Sequence, residues 1–144
     1  MYTHSKLELT CQGAMVVLSG AMAKAKEMGV PQCIAVVDTA GDLLAYARMD
    51  GAKRLSQLSS TQKAVTAASS QTATGSVPAE VEFKLGLVTA GQLTNLKGGV
   101  PIVLQGQVVG AVGVGSGTGE QDIEVAEAGI EALCAAMAAE GSGQ

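Results

Sequence analysis

The sequence predicts an α/β domain of the α+β kind: an antiparallel five-stranded sheet with helices packed on it, in the order α-β-β-α-β-β-β-α. Two observations carry this. Apolar residues recur at helical spacing near both ends and in the middle of the chain. The strand-like runs between them come in pairs joined by short turns, as hairpins do, and not singly between helices, as crossovers would require. No linker, repeat or shift of composition divides the chain, so residues 1–144 read as one domain.

Ser5 and Glu8 form an S-x-x-E capping box, and Leu7, Cys11, Ala14, Leu18, Ala21, Met22 and Ala25 follow at helical spacing, so a first helix is expected there, stopped by Gly29 and Pro31. Cys33–Asp38 and Leu43–Met49, joined by Thr39-Ala40-Gly41-Asp42, read as a hairpin. Residues 55–73 read as a helix that buries Leu55, Leu58, Thr61, Val65 and Ala68, broken at Gly75 and Pro78. The stretch 79–92 reads as a short helix and a loop, with a strand at Leu93–Leu96. Val100–Leu104 and Gln107–Val114 are strands paired across Gln105-Gly106. The last helix opens on a second capping box, Thr118-x-x-Gln121, with Glu120 and Asp122 in the first turn, where the helix dipole favours them; Gly141–Gln144 reads as a frayed tail.

A net charge of −4 and only three aromatic residues (Tyr2, Tyr46 and Phe83) argue against a nucleic-acid surface, which needs a basic stripe and rings on which bases stack. No apolar run reaches the roughly 18 residues of a membrane-spanning helix. The start lacks the basic and apolar regions of a secretion signal, so the expectation is a cytoplasmic protein without membrane partners. Cys11, Cys33 and Cys134 are isolated in apolar stretches and read as buried, reduced thiols with no metal-ligand spacing. The apolar content is mostly small side chains, which gives a thin core and favours subunit contacts.

The motifs that carry chemistry are few. Ser56, Ser59, Lys63, Thr66 and Ser70 recur at intervals of 3 and 4 and share one helical face, with a single lysine among hydroxyls. Such a face serves interface packing, a ligand site or an ordinary exposed surface; a desolvated Lys63 would act as a base or an anion anchor. The loop Gly113–Gly119 has the spacing G-x-G-x-G and lacks the G-x-G-x-x-G of a dinucleotide site, although its free N–H groups suit a smaller anion. Ser60-Thr61-Gln62-Lys63 matches S-x-x-K without the partner motifs of penicillin-recognising enzymes. Glu120 and Asp122 are capping carboxylates first, and candidates for pairing with Lys63 or for proton transfer. Arg48 is a charge in an apolar strand, facing a partner or a carboxylate; His4 is the only histidine.

Gly98-Gly99-Val100-Pro101-Ile102-Val103, then Gly106 through Val114, then Gly117-Thr118-Gly119-Glu120-Gln121-Asp122 together resemble the signature of the GlcG/HbpS family. Val36-Val37-Asp38 with Gly41, Arg48-Met49-Asp50 and Lys63-Ala64-x-Thr66-Ala67 fit its earlier pattern in order. The resemblance implies an α/β fold, a homo-oligomer (a dimer or larger, including octamers) and a small-molecule ligand, with haem a candidate cofactor. No histidine lies inside the first helix, so iron would fall to His4, a methionine or a hydroxyl. The ligand-binding set expected on this basis is Arg48, Ser59, Thr66, Gly98, Gly99, Gly115, Gly117 and Thr118. The expected function is a small-ligand-binding protein accessory to a catabolic pathway, taking haem or another carboxylated molecule. Two alternatives stay open: a cofactor-free lyase, isomerase or hydrolase using Lys63, Glu120 and Asp122, and a structural partner of a catabolic enzyme.

Overall fold

Four strands, β1 (Cys33–Asp38), β2 (Leu43–Arg48), β3 (Gly99–Leu104) and β4 (Gln107–Gly115), form one antiparallel sheet in the order β2-β1-β4-β3. The computed structural model describes residues 1–142. Both predicted hairpins are present. The fifth strand, at Leu93–Leu96, is not, and its place in the chain is a loop. Side chains claim the backbone of that loop: Leu93 N–H donates to Thr89 Oγ1, Thr94 N–H donates to Thr66 Oγ1, and Asn95 bonds both the N–H and the carbonyl of Val77. With those groups satisfied locally, no ladder is needed.

The two faces of the sheet differ in the size of their side chains. On one, Ile34, Val36, Ile102, Val112 and Val114 pack against helices α1 (Cys11–Met28) and α4 (Gly119–Ser142). On the other, Ala35, Val37 and Ala111 meet Ala64, Ala67 and Ala68 of α2 (Ser56–Ser70). Gly99 and Gly113 are cross-strand partners on this second face, and a Cβ at Gly113 would lie 2.5 Å from the Ala64 nitrogen. The backbone of α2 therefore rests directly on the strands.

That close approach overturns the expected orientation of α2. Leu55 and Leu58 point outward, 79% and 61% exposed, while Ser56, Ser60, Lys63 and Thr66 face the sheet. A face built of glycine and alanine leaves no depth for leucine, so the small and polar stripe turns inward. Apolar surface is exposed again on helix α3 (Ala79–Val88), none of whose residues is buried and on which Phe83, Leu87 and Val88 stand out.

The first capping box does not form. Helix α1 starts at Cys11, with the Thr10 hydroxyl accepting from Gly13 N–H. Glu8 instead accepts from Thr39, and Leu9 N–H donates to the Val109 carbonyl, which ties the segment before the helix to the sheet. The second box does form: Thr118 and Gln121 bond each other's N–H groups, and α4 runs on through Ser142. Gly141 is thus helical; Gly143 and Gln144 of the expected frayed tail lie outside the described residues. Cys33 is buried as expected, but Cys11 and Cys134 are exposed. Among the described residues no helix is long and apolar enough to cross a membrane.

Candidate functional site

Three chain segments converge where β4 ends. Its last residue, Gly115, leads through Ser116, Gly117 and Thr118 into α4, whose capping box sets the direction of the first turn and turns Asp122 back toward the loop. From the other face of the sheet, α2 sends Lys63 around the same edge. The Lys63 ammonium donates to the Val114 carbonyl at 2.8 Å and to Asp122 Oδ2 at 3.0 Å. Asp122 Oδ1 accepts from Gly117 N–H at 3.0 Å. Lys63 is 5% exposed and Asp122 2%, so this is a buried ion pair.

Gly98 and Thr74 make the arrangement possible. Gly98 sits at φ +126°, and a Cβ there would lie 2.7 Å from the Val114 oxygen, 2.8 Å from Asp122 Cβ and 3.1 Å from the Lys63 nitrogen. Only a residue without Cβ fits both the backbone angle and the space. Thr74 anchors the neighbouring strand start by accepting from Gly99 N–H and donating to the Leu96 carbonyl.

Burial pushes the Asp122 carboxyl above its ordinary value, and the Lys63 ammonium, the Gly117 N–H and the nearby Gln32 amide each pull it back down. Gln32 itself is fully buried, and neither polar atom of its side chain reaches hydrogen-bond geometry with a partner among the described residues. A Cβ on Gly117 would lie 2.6 Å from its Nε2 and 3.0 Å from Asp122 Oδ1, so the amide abuts the wall that Gly117 and Asp122 share. Leaving such a group unpaired costs about 1–3 kcal/mol.

The ion pair forms the floor of an open pocket of about 260 Å³, lined by Lys53, Ser56, Ser59, Lys97, Ser116 and Gly117 besides the pair itself. An ammonium has three N–H bonds. Val114 and Asp122 take two of those on Lys63, which leaves one for whatever enters.

Of the residues expected from the sequence, Lys63, Asp122, Ser59 and Gly117 come together on this pocket. Gly98, Gly99 and Gly115 supply the backbone clearance around it, and Thr118 caps α4. Glu120 does not meet Lys63: it stands outside, exposed, beside Lys97 at 3.3 Å, and its own N–H and then Lys97 hold its carboxyl below the ordinary range. Arg48 is exposed at the end of β2 and is absent from the pocket walls. Thr66 donates to the Gln62 and Gln92 carbonyls and accepts from Thr94, so it supports the 89–96 loop. Sequence reasoning missed Gln32, Lys53, Lys97 and Ser116. The one signal available was Gln32, a polar residue directly ahead of the apolar run Cys33–Val37.

The architecture is an α+β domain with helices on both faces of a short antiparallel sheet and polar groups gathered at one end of it. Residues 9–131 match the family model described as "Haem degrading protein HbpS-like", and the chain belongs to that family. It is 38% identical over 111 residues to the protein GlcG of Escherichia coli K12, covering 76% of this chain and 83% of that one. Its fold is similar to the crystal structure of the Klebsiella pneumoniae protein ORFY, with a TM-score of 0.86, 29% identity, and 94% and 97% of the two chains covered. The crystal structure of a PduOC–haem complex is similar over 88% of this chain and 95% of that one, with a TM-score of 0.80 and 26% identity.

Proposed function

We propose that this chain is an oligomeric small-ligand-binding protein whose ligand carries a carboxylate, held at the Lys63–Asp122 pocket. The observation that carries the reading is the ion pair at the pocket floor, with an N–H of Lys63 still to be satisfied. Buried polar groups are normally paired. A lysine with one N–H still free at the floor of an open pocket is the group that an incoming carboxylate would complete. Ser56 and Ser59 line the α2 wall beside it. Copies of the chain would associate through the outward leucines Leu55 and Leu58 and the apolar side of α3; light scattering should then report a mass above the 14.4 kDa of one chain.

Butyrate serves as the probe. At roughly ten times its dissociation constant it should stabilise the fold by about 1.4 kcal/mol, a rise of several degrees in Tm, and Lys63→Met should remove the rise. An equal rise in both proteins would put the carboxylate elsewhere.

Haem is the second reading, supported by the haem complex of the PduOC relative. A cleft of about 380 Å³ between α1, α4 and the β3–β4 turn is lined by Val16, Leu104, Val109, Leu133 and Met137. It offers iron one thioether and no imidazole. The charged groups on its rim are Glu8 and Glu140, which repel propionates. These residues do not fit a tightly ligated haem. Haem titration should give a weak, broad Soret band that is unchanged in His4→Ala; a sharp band lost in that variant would overturn this assessment.

A further inference from the structure

Resting on the carboxylate reading above, we infer that the ligand of the Lys63 pocket is a short dianion with an acid group at each end, a compact dicarboxylate. The pocket wall carries three lysines, Lys53, Lys63 and Lys97, against one carboxylate, Asp122. Lys97 is shared with the exposed Glu120, so the three lysines leave one net positive charge, and a second where a ligand acid displaces Glu120. The lysines also stand at different depths. Lys63 is 5% exposed on the floor, whereas Lys53 is exposed and the Lys97 side chain is 53% exposed on the rim.

The deep position is built for one carboxylate. Lys63 offers its third N–H, and Ser56 and Ser59 line the wall alongside it. The rim is built for a second. Lys53 forms no ion pair among the described residues, and the partner of Lys97 is Glu120, whose side chain is 77% exposed and is displaced at little cost. A single compact dianion such as phosphate would place both charges at one depth and leave the other cationic level unmatched. A volume of about 260 Å³ lies below the ~300–1,000 Å³ of pockets for drug-sized ligands, which favours a short chain.

The test uses calorimetry on the whole chain with succinate, butyrate and inorganic phosphate at low ionic strength. Succinate should bind about tenfold more tightly than butyrate, and phosphate no more tightly than butyrate. The double variant Lys53→Met, Lys97→Met keeps both aliphatic stems and removes both rim charges; in it succinate should fall to within about twofold of butyrate. Salt at about 0.5 M should erode the succinate preference while leaving butyrate binding closer to its original value, because the rim lysines are screened and Lys63 is not. Equal binding of succinate and butyrate by the unaltered protein would overturn the dianion and leave the carboxylate reading standing. Phosphate binding as tightly as succinate would overturn the separated acids. Failure of all three compounds to bind would overturn both.

Discussion

Replacing Lys63 by Met is expected to destabilise the protein by about 3–5 kcal/mol at pH 8 and by clearly less at pH 5. Methionine keeps most of the aliphatic stem and removes the ammonium, so Asp122, 2% exposed, is left as a buried carboxylate with only the Gly117 N–H bonded to it. Burial already raises the Asp122 carboxyl, and loss of Lys63 removes the strongest influence pulling it back, so its folded-state value rises further. The sign follows from proton counting. Between the ordinary aspartate value and the raised one, the folded state holds a proton that the unfolded state does not, so stability of the variant increases as pH falls through that window. Urea unfolding of both proteins at the two pH values measures the gap. A second change, Asp122→Asn, made on the Lys63→Met background should recover much of the stability without restoring carboxylate binding. A gap of the same size at both pH values would mean that no uncompensated charge is buried there.

Gly113→Ala should cost about 3–5 kcal/mol and lower Tm by roughly 10 °C, a large effect for one methyl group. The added carbon meets the backbone of α2, the Ser60 carbonyl and the Ala64 nitrogen, and not the end of a flexible side chain. No rotamer change relieves it; α2 has to lift from the sheet. Because α2 carries Lys63, the same variant should also lose carboxylate binding. Gly86→Ala, at a helix position where the new Cβ would meet the Leu93 oxygen only at 3.9 Å, is the matched control and should be neutral or slightly stabilising. A Gly113→Ala protein within about 1 kcal/mol of the original would show that the α2–sheet contact is looser than described.

What the sequence revealed and what it hid divide along physical lines. The hairpins and the last helix were legible because their signals are local: alternating apolar runs around tight turns, and a Thr118–Gln121 box whose two partners meet as expected. The same box motif at Ser5–Glu8 failed because a distant partner competed, Glu8 bonding Thr39 and Leu9 bonding Val109 across the fold. The direction of α2 was misread for a related reason. Its periodicity offered two faces, and the choice depended on Gly99 and Gly113, residues far along the chain that make the opposing surface too shallow for Leu55 and Leu58. Of the site, Lys63 and a carboxylate at the glycine-rich helix start could be paired by chemistry alone, but that the partner is Asp122 and not Glu120 could not. Lys53 and Lys97 could not be placed there either, since each joins the pocket only through the tertiary fold, and the same holds for Gln32 behind the Gly117–Asp122 wall.

The most direct test of the site is nitrogen-15 NMR of the lysine ammonium groups during a butyrate titration. A buried, hydrogen-bonded ammonium such as that of Lys63 exchanges its protons slowly and should stand apart from the exposed lysines, its signal assigned by its loss in Lys63→Met. This signal should shift progressively and saturate as butyrate takes the third N–H. A Lys63 signal that stays fixed while butyrate binds elsewhere, or while nothing binds at all, would contradict binding at this site.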